Sequence, residues 1–207
     1  SRSDPVWFVR HVLKAEPTPQ QIELLQAIAK PGAHVAVKSG HGTGKSTVLA
    51  WLILWFLLTN RDSRVPCTAP SAHQLSDVLW AEVARWIQGM HELFRPHVLW
   101  SSEAIRIKGA EQTQFAVART ARPEKPEALQ GFHAPHLLFV IDEAGQLELG
   151  WLPAEVSTIA GLGAFFVTCW QNLSQVQHRY KTLADAVLSG HRTKCFFAGV
   201  DDLSTVR

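Results

Sequence analysis

The fold of this chain is decided by the stretch Ser39-Gly40-His41-Gly42-Thr43-Gly44-Lys45-Ser46-Thr47. A short apolar run from His34 to Lys38 precedes it and predicts a strand. A run at 46–58, apolar on nearly every side, follows it and predicts a helix that other elements cover. A strand, a glycine-rich loop with a Gly-Lys-Ser ending and a helix are the context of a phosphate-binding loop. In such a loop successive backbone N–H groups face phosphate oxygens, and the helix N-terminus adds the positive end of its dipole.

Each residue of this loop is expected to contribute to nucleotide binding. The expected binding residues are Ser39, Gly40, His41, Gly42, Thr43, Gly44, Lys45, Ser46 and Thr47. Lys45 is expected to reach the β and γ phosphates, and Ser46 to place its hydroxyl on Mg²⁺. Ser39 stands where such a loop usually begins with glycine, and it is a small residue that some phosphate loops accept. The alternative, a flexible glycine-rich turn without a ligand, is disfavoured by the flanking strand and helix.

The second motif is a run of five apolar residues, 137–141, that ends in Asp142 and Glu143. The run predicts a central strand covered on both faces, and open α/β sheets bind ligands at the carboxyl end of their strands. We expect Asp142 to make the second Mg²⁺ contact and Glu143 to polarise an attacking water. By itself an acidic pair also suits a solvated strand end, and the loop upstream favours the catalytic interpretation. Glu directly after Asp favours hydrolytic motors, and the chain has no guanine-reading Asn-Lys-x-Asp.

The rest of the chain alternates predicted strands with predicted helices, which indicates a mostly parallel α/β sheet with helices on both faces. Helices are expected from Thr18 to before Pro31 and over 72–90 and 174–188. Strands are expected within 62–69, around 104–107 and 115–117 as a hairpin or two neighbours, over 164–168, and from Phe196. Most of the eight tryptophans are assigned to core packing.

Composition limits the classes of protein that fit. The 207 residues are 46% hydrophobic and 18% charged, which suits one compact domain, and no repeat or linker marks a boundary. A net charge of +2 gives no bulk electrostatic argument for a nucleic acid or a membrane. The longest apolar run, 48–58, is shorter than the roughly 20 residues that a bilayer span needs. Three cysteines beside apolar runs suit buried thiols in a reducing, intracellular compartment.

Together the motifs resemble the ATPase domain of the large terminase subunit of tailed phages, over residues 17 to 170. The stretches that carry the resemblance are Lys38 to Ser46, the helix 51–58, Thr68-Ala69-Pro70-Ser71, Glu127 to Ala134 and Asp142-Glu143-Ala144. The resemblance implies a P-loop NTPase of the additional-strand catalytic-glutamate type that hydrolyses ATP with Mg²⁺. Residues 1–207 would then form a single ATPase domain, with the family's nuclease domain expected beyond Arg207.

The resemblance also implies partners and a location. The activity of the family drives double-stranded DNA into a procapsid. The expected assembly is a homo-oligomeric ring, a pentamer, docked on the portal and working with the small terminase subunit, without a membrane. The expected location is the host cell cytoplasm, with transient residence on the procapsid. Two other classes stay open: another DEAD-like helicase or remodelling ATPase, and a nucleotide-binding assembly subunit that does not hydrolyse.

Two further site residues are expected from shorter patterns. The segment from Pro17 to Gln21 resembles the Q motif of DEAD-type ATPases, in which the amide of Gln21 would hold adenine through its donor and its acceptor. The alternative is a helix N-terminus with an exposed polar residue. Thr168 is the expected coupling residue, because the family places a Thr-Gly-Asn-like motif after the strand that follows the acidic pair. This chain has Thr168-Cys169-Trp170-Gln171-Asn172 there, and the residue that replaces the asparagine stays open.

The cation that stabilises the transferring phosphate is expected to be an arginine finger. Arg119 and Arg122 lie with Lys125 in a polar segment between predicted strands, from which a finger would project into a neighbouring subunit. A solvated loop is the alternative for this segment. Lys38, directly before the glycine loop, is the alternative cation from the same subunit.

Overall fold

A computed structural model of the chain describes residues 4–40, 42–120, 131–147, 149–150, 152, 163–171 and 173–197. Its strands are β1 His34–Lys38, β2 Ser63–Thr68, β3 Val98–Trp100, β4 Ala104–Ile107, β5 Phe115–Ala118, β6 His136–Ile141, β7 Phe165–Trp170 and β8 Thr193–Phe196. They form one sheet in the order β3-β4-β5-β2-β6-β7-β1-β8. The pairs β3–β4 and β4–β5 are antiparallel, and the other five pairs are parallel.

Helices pack on both faces of this sheet, as expected. The α-helices of the described ranges are α1 Pro5–His11, α2 Pro19–Ile28, α3 Lys45–Thr59, α4 Ala81–Gly89, α5 Leu173–Tyr180 and α6 Ala184–Gly190. A π-helix, Gln74–Trp80, runs directly into α4. One core lies between the sheet and α1 to α4, and a second lies between the sheet and α5 and α6. Strand residues alternate between the two cores, so that Val167 and Cys169 face the first and Phe166 and Trp170 the second.

The central helix α3 is apolar all round because other elements surround it. Its residues from Val48 to Leu57 are all buried in the first core. Gly44 is the N-cap of this helix, and its left-handed φ of 77° turns the chain from the loop into the helix. The predicted order of strand, glycine loop and buried helix is therefore confirmed.

The strand order decides where the two motifs meet. β7 lies between β1, which leads into the glycine loop, and β6, which Asp142 follows directly. These three strands are parallel, so their carboxyl ends share one edge of the sheet. A strand inserted between the loop strand and the acidic strand is the topology that the sequence interpretation expected, and it is confirmed.

Several elements differ from the predictions. The sequence pattern did not predict α1 or the three-residue edge strand β3. The helix predicted over 72–90 is a π-helix followed by α4. Val78 is one of the apolar residues that stand at helical spacing in this segment. The wider turn of the π-helix shifts side chains around the helix axis, and Val78 is 41% exposed. The helix predicted over 174–188 is interrupted at Lys181, whose φ is 45°, and β8 ends at Phe196 instead of beginning there.

The cysteines and several tryptophans are buried, as the sequence predicted. Cys67, Cys169 and Cys195 are buried free thiols. Trp51, Trp55 and Trp80 are buried in the first core. None of the helices within the described ranges has the length and apolarity that crossing a bilayer requires.

Candidate functional site

A cavity of about 490 Å³ lies at the carboxyl edge of the sheet, where the loop after β1 meets the end of β6. Gly40 and the residues from Gly42 to Thr47, in the loop and the start of α3, line it. The floor carries Asp142 and Glu143. The segment after β2 also lines the cavity and contributes Ser71, His73, Gln74, Val78 and Glu82. The structure thus brings the two sequence motifs into one site.

The loop is held in shape by its own hydroxyl groups. Ser39 is 1% exposed, and its hydroxyl is hydrogen-bonded to that of Thr43. The Thr43 hydroxyl also lies 3.2 Å from the carbonyl oxygen of Gly40, to which it donates. Ser39, which stands where such loops usually have glycine, therefore connects the two ends of the turn. Gly42 and Gly44 supply the positive φ angles, 70° and 77°, that the turn requires. His41 lies outside the described residues.

Lys45 is the centre of the site's charges. Its Nζ lies 3.0 Å from Oδ1 of Asp142 and donates a hydrogen bond to Oε1 of Glu143. Burial opposes the charge of Lys45, but the negative charge of Asp142 and the bond to Glu143 outweigh it, so the pKa of Lys45 lies above its ordinary value. Burial raises the pKa of Asp142, because it disfavours the charged carboxylate more than the nearby Lys45 favours it, and the charge of Glu143 acts in the same direction as burial.

Glu143 is fixed by its backbone and by both carboxylate oxygens. Its φ of 50° is left-handed, an uncommon conformation for a residue with a side chain, and it starts a 3₁₀ helix at Ala144–Gln146. Oε2 accepts hydrogen bonds from Gln171 Nε2 at 2.7 Å and from Gln146 Nε2 at 3.4 Å. Sequence reasoning assigned neither glutamine. The sequence left open which residue after β7 replaces the family's asparagine, and Gln171, one residue beyond the end of that strand, lies in that segment.

Asp142 has an oxygen suited to a cation. Oδ1 accepts from the backbone N–H of Glu143 at 3.0 Å and from Lys45, whereas Oδ2 is buried and has no hydrogen-bond partner among the described residues. A buried carboxylate oxygen without a partner is costly unless a cation or a water satisfies it. Ser46 lies in the first turn of α3 and lines the same cavity. A carboxylate, a hydroxyl and phosphate oxygens are the hard donors that Mg²⁺ prefers, so these residues fit the ion.

The segment after β2 adds a carboxylate that sequence reasoning missed. Oε1 of Glu82 accepts hydrogen bonds from the Thr47 hydroxyl at 2.7 Å, from Trp86 Nε1 at 2.9 Å and from Arg85. Burial opposes the charge of Glu82, but these bonds outweigh it and lower its pKa. Nothing in the local pattern of α4 singles this residue out, because its partner Thr47 is 35 residues away in the chain.

Gln21 lies at the base of the loop and is 5% exposed. Its Oε1 accepts the backbone N–H of Thr18 at 2.9 Å, and its Nε2 lies 3.2 Å from the carbonyl oxygen of Gly44. The bond to Thr18 completes a capping box at the start of α2. Gln21 is not among the described residues that line the cavity. The structure thus places its amide on the protein's own backbone, and the adenine contact stays a prediction.

Thr168 lies on the face of β7 that is turned toward α6. Its neighbour His191 donates from Nδ1 to the carbonyl of Val187 at 2.7 Å, since a carbonyl only accepts. Burial lowers the pKa of His191 to about 4, so the ring is neutral and Nε2 accepts from the Thr168 hydroxyl at 2.9 Å. Trp170 Nε1 donates to the same hydroxyl at 2.7 Å. Thr168 does not line the cavity described above, and the coupling role stays a prediction.

Two of the candidate cations, Arg119 and Lys38, lie at the same edge of the sheet but are not among the described residues that line the cavity. Arg119 follows β5, and its guanidinium stacks on the ring of Phe132, 5.0 Å from the centroid. Its backbone N–H donates to the carbonyl of Cys67 at 2.9 Å. Lys38 is buried at the end of β1. Arg122 and Lys125 lie outside the described residues, as does Asn172 of the expected coupling segment.

Comparison with known proteins places the chain near one group. A curated protein described as a probable terminase, large subunit, of Enterobacteria phage P7 is 30% identical over 132 residues, which are 62% of this chain and 26% of that protein. The chain therefore spans about a quarter of the length of that relative. A family model described as the TraM recognition site of TraD and TraG matches residues 136–207, about a third of the chain.

Solved structures give the fold. The large terminase ATPase domain of Thermus phage P74-26 has a TM-score of 0.52 and 19% identity, over 75% of this chain and 66% of that one. The large terminase from a thermophilic bacteriophage has a TM-score of 0.61 and 13% identity, over 93% and 48%. Another form of that protein, in complex with ADP, has a TM-score of 0.59 and 11% identity, over 92% and 47%. The chain has the fold of these large terminase ATPase domains.

Proposed function

We propose that this chain, a relative of the phage terminase large subunits with the fold of their ATPase domains, hydrolyses ATP in the cavity at the carboxyl edge of its sheet. The observation that carries the proposal is the meeting of Lys45, Asp142 and Glu143 beside a glycine loop at the start of α3. A cation for phosphates, a carboxylate for a metal and a carboxylate for a water are the parts that phosphoryl transfer to water needs.

Binding would use the loop and Lys45. The backbone N–H groups from Gly42 to Ser46 stand at the N-terminus of α3, where helix dipole and unpaired donors favour an anion. Lys45 would exchange its bonds to Asp142 and Glu143 for bonds to the β and γ phosphates. Its raised pKa keeps it protonated for either set of anions. The ADP complex of the thermophilic phage terminase supports a nucleotide as the ligand class.

The residues suited to Mg²⁺ are Asp142, through its unpartnered Oδ2, and Ser46. The ion would supply positive charge that neutralises the phosphate oxygens as the γ-phosphoryl group is transferred. Release of Lys45 toward the phosphates would leave Asp142 with two oxygens for this contact.

Glu143 would act as the general base. As the water oxygen bonds to the γ phosphorus, the bond from that phosphorus to the ADP oxygen breaks, and a water proton passes to the Glu143 carboxylate. Gln171 and Gln146 hold Oε2 of Glu143, so they would orient the carboxylate once Lys45 has turned to the phosphates. The left-handed backbone at Glu143 limits the positions that the side chain reaches from the strand end.

The biological setting of this ATPase would be DNA packaging. The relative's description as a probable terminase, large subunit, supports a motor that drives double-stranded DNA into a procapsid. Such a motor would act as a homo-oligomeric ring on the portal, together with the small terminase subunit.

The test measures binding and hydrolysis separately. Wild-type protein at high concentration should bind a fluorescent ATP analogue and release phosphate from ATP in the presence of Mg²⁺. Glu143→Gln should bind the analogue with wild-type affinity but hydrolyse at least about 100-fold more slowly, because the amide does not accept the proton. Lys45→Ala should lose affinity, because it removes the cation that faces two phosphates.

Exposed residues of the same types provide the controls. Glu92→Gln and Lys30→Ala should bind and hydrolyse like the wild-type protein, since both positions lie at the surface. Wild-type turnover in Glu143→Gln would falsify the assignment of the base. Absence of both binding and hydrolysis in the folded wild-type protein would exclude the proposed function.

A further inference from the structure

Gln21 connects the start of one helix to the start of another. Its Oε1 accepts the backbone N–H of Thr18 at the N-terminus of α2. Its Nε2 donates to the carbonyl oxygen of Gly44, at 3.2 Å, at the N-terminus of α3. The side chain is buried, and the acceptor and one of the donors of its amide are used by the backbone. The residue therefore fixes the glycine loop relative to α2.

The bond at Gly44 controls the direction of a loop donor. The carbonyl of Gly44 and the N–H of Lys45 belong to one planar trans peptide unit, in which the two groups point in opposite directions. When Gln21 and the backbone N–H of Val48 hold the carbonyl, the N–H of Lys45 is directed away from Gln21. This N–H is one of the unpaired donors at the start of α3, on the side where an anion binds.

The amide of Gln21 packs closely against Gly44, so a side chain at Gly44 would displace it. A Cβ atom added at Gly44 would lie 2.7 Å from Nε2 of Gln21. The contact is thus close packing of an amide against the backbone of the loop, 23 residues away in the chain. A helix-capping residue with no further role would need only the bond to Thr18.

We propose that Gln21 is a positioning residue for the phosphate loop and sets the affinity for the triphosphate group of the nucleotide whatever its base. The inference rests on the proposed function, because it concerns the ligand of the same loop. It differs from a direct contact with adenine, since Gln21 reaches the Gly44 carbonyl and does not line the cavity among the described residues.

Two substitutions separate the loop bond from the helix cap. Gln21→Glu keeps the acceptor for Thr18, because glutamate completes a capping box as well as glutamine, but it replaces the donor to Gly44 by an acceptor. Gln21→Met removes the donor without adding a charge. Gln26, an exposed glutamine on the same helix, provides the matched controls Gln26→Glu and Gln26→Met.

The experiment measures dissociation constants for ATP and for inorganic tripolyphosphate, both with Mg²⁺, by competition with a fluorescent ATP analogue. Gln21→Met should weaken the two ligands by the same factor, about 3- to 10-fold, as expected for one hydrogen bond. Gln21→Glu should weaken both by at least that factor, because it also brings a negative charge to the loop. Circular dichroism should show that each variant is folded under the binding conditions, and the Gln26 variants should bind like the wild-type protein.

Each other result contradicts a specific statement. Weaker ATP binding with unchanged tripolyphosphate binding would mean that Gln21 reads the base and would overturn the inference. Unchanged binding of both ligands in the two Gln21 variants would also overturn it, as would a wild-type protein that binds ATP but not tripolyphosphate. A wild-type protein that binds neither ligand would contradict the proposed function instead.

Discussion

Gln171 lies 2.7 Å from the oxygen of Glu143 that Lys45 does not hold, and this contact has a consequence for catalysis. On the proposed function, Gln171→Leu removes the main donor to Oε2 and lets the carboxylate leave the position from which it takes a proton. A misplaced base slows the chemical step much more than it weakens substrate binding. We expect kcat to fall about 10- to 100-fold in Gln171→Leu, with the dissociation constant for ATP within about twofold of wild type.

The matched control is Gln177→Leu, an exposed glutamine on α5. Single-turnover hydrolysis at saturating ATP and equilibrium binding of an ATP analogue separate the two quantities. A variant at Gln171 that lost affinity with kcat unchanged would show that the residue serves binding instead of the orientation of Glu143.

At the residue scale, the sequence predicts what lies inside a motif. Each of the two motifs includes the end of a strand, and the motifs contain Lys45, Asp142 and Glu143. Because the parallel strands end at the same edge of the sheet, the fold brings these three side chains together. The roles of Gln171 and Glu82 do not follow from spacing, because each depends on a hydrogen bond across 28 or 35 residues of chain. Such contacts depend on side-chain reach in the folded site.

At the scale of elements, β7 is fixed to α6 by a buried polar group. His191 follows α6 and is 1% exposed. Nε2 of its neutral ring accepts a hydrogen bond from the hydroxyl of Thr168 on β7. Burial lowers the pKa of His191 to about 4, and the charges of His34 and Lys194 act in the same direction. In the unfolded chain the ordinary value is about 6.5. Between these two values the unfolded state binds more protons than the folded state, so stability falls as the pH falls.

This difference predicts a pH dependence of stability. The His191 contribution to the free energy of unfolding should decrease by about 2 kcal/mol between pH 7.5 and pH 5. Urea unfolding at both pH values measures the change. His191→Gln should make the decrease smaller by about that amount, whatever its effect on absolute stability, whereas His97→Gln, at an exposed position, should leave the decrease as in wild type. Equal pH dependence in wild type and His191→Gln would contradict a neutral buried imidazole.

Elements were predictable where one period dominated the sequence. β1, β6 and α3 are buried throughout or nearly so, and their apolar runs matched their bounds within one residue. The helix predicted over 72–90 had regular apolar spacing, but the π-helical turn changed which side chains face the core, and Val78 became part of the cavity wall. Hydrophobic spacing does not distinguish a π-helix from an α-helix over seven residues.

At the scale of the whole molecule, the parallel strands decide where a cation for the transferring phosphate can stand. β5, β2 and β6 are neighbours and parallel, so Arg119 after β5 and Asp142 after β6 lie at the same edge of the sheet, with one strand between them. The sequence predicted this α/β layering but not the neighbours of β5, because strand order depends on long-range pairing. In this structure the Arg119 guanidinium stacks on Phe132 and does not line the cavity.

The last prediction concerns assembly. If Arg119 or Arg122 acts on the phosphate bound by a neighbouring subunit, ATPase activity should rise more than linearly with protein concentration, because a separate subunit lacks the cation for the transition state. Arg119→Ala, or Arg122→Ala if that residue is the finger, should lose on the order of 10³-fold in turnover while ATP affinity stays near wild type. Mixing the inactive arginine variant with Glu143→Gln should restore some activity, since a site with an intact Glu143 then receives an arginine from a Glu143→Gln neighbour. Activity that stays linear down to nanomolar protein, without rescue on mixing, would exclude a finger in trans and favour Lys38 as the cation from the same subunit.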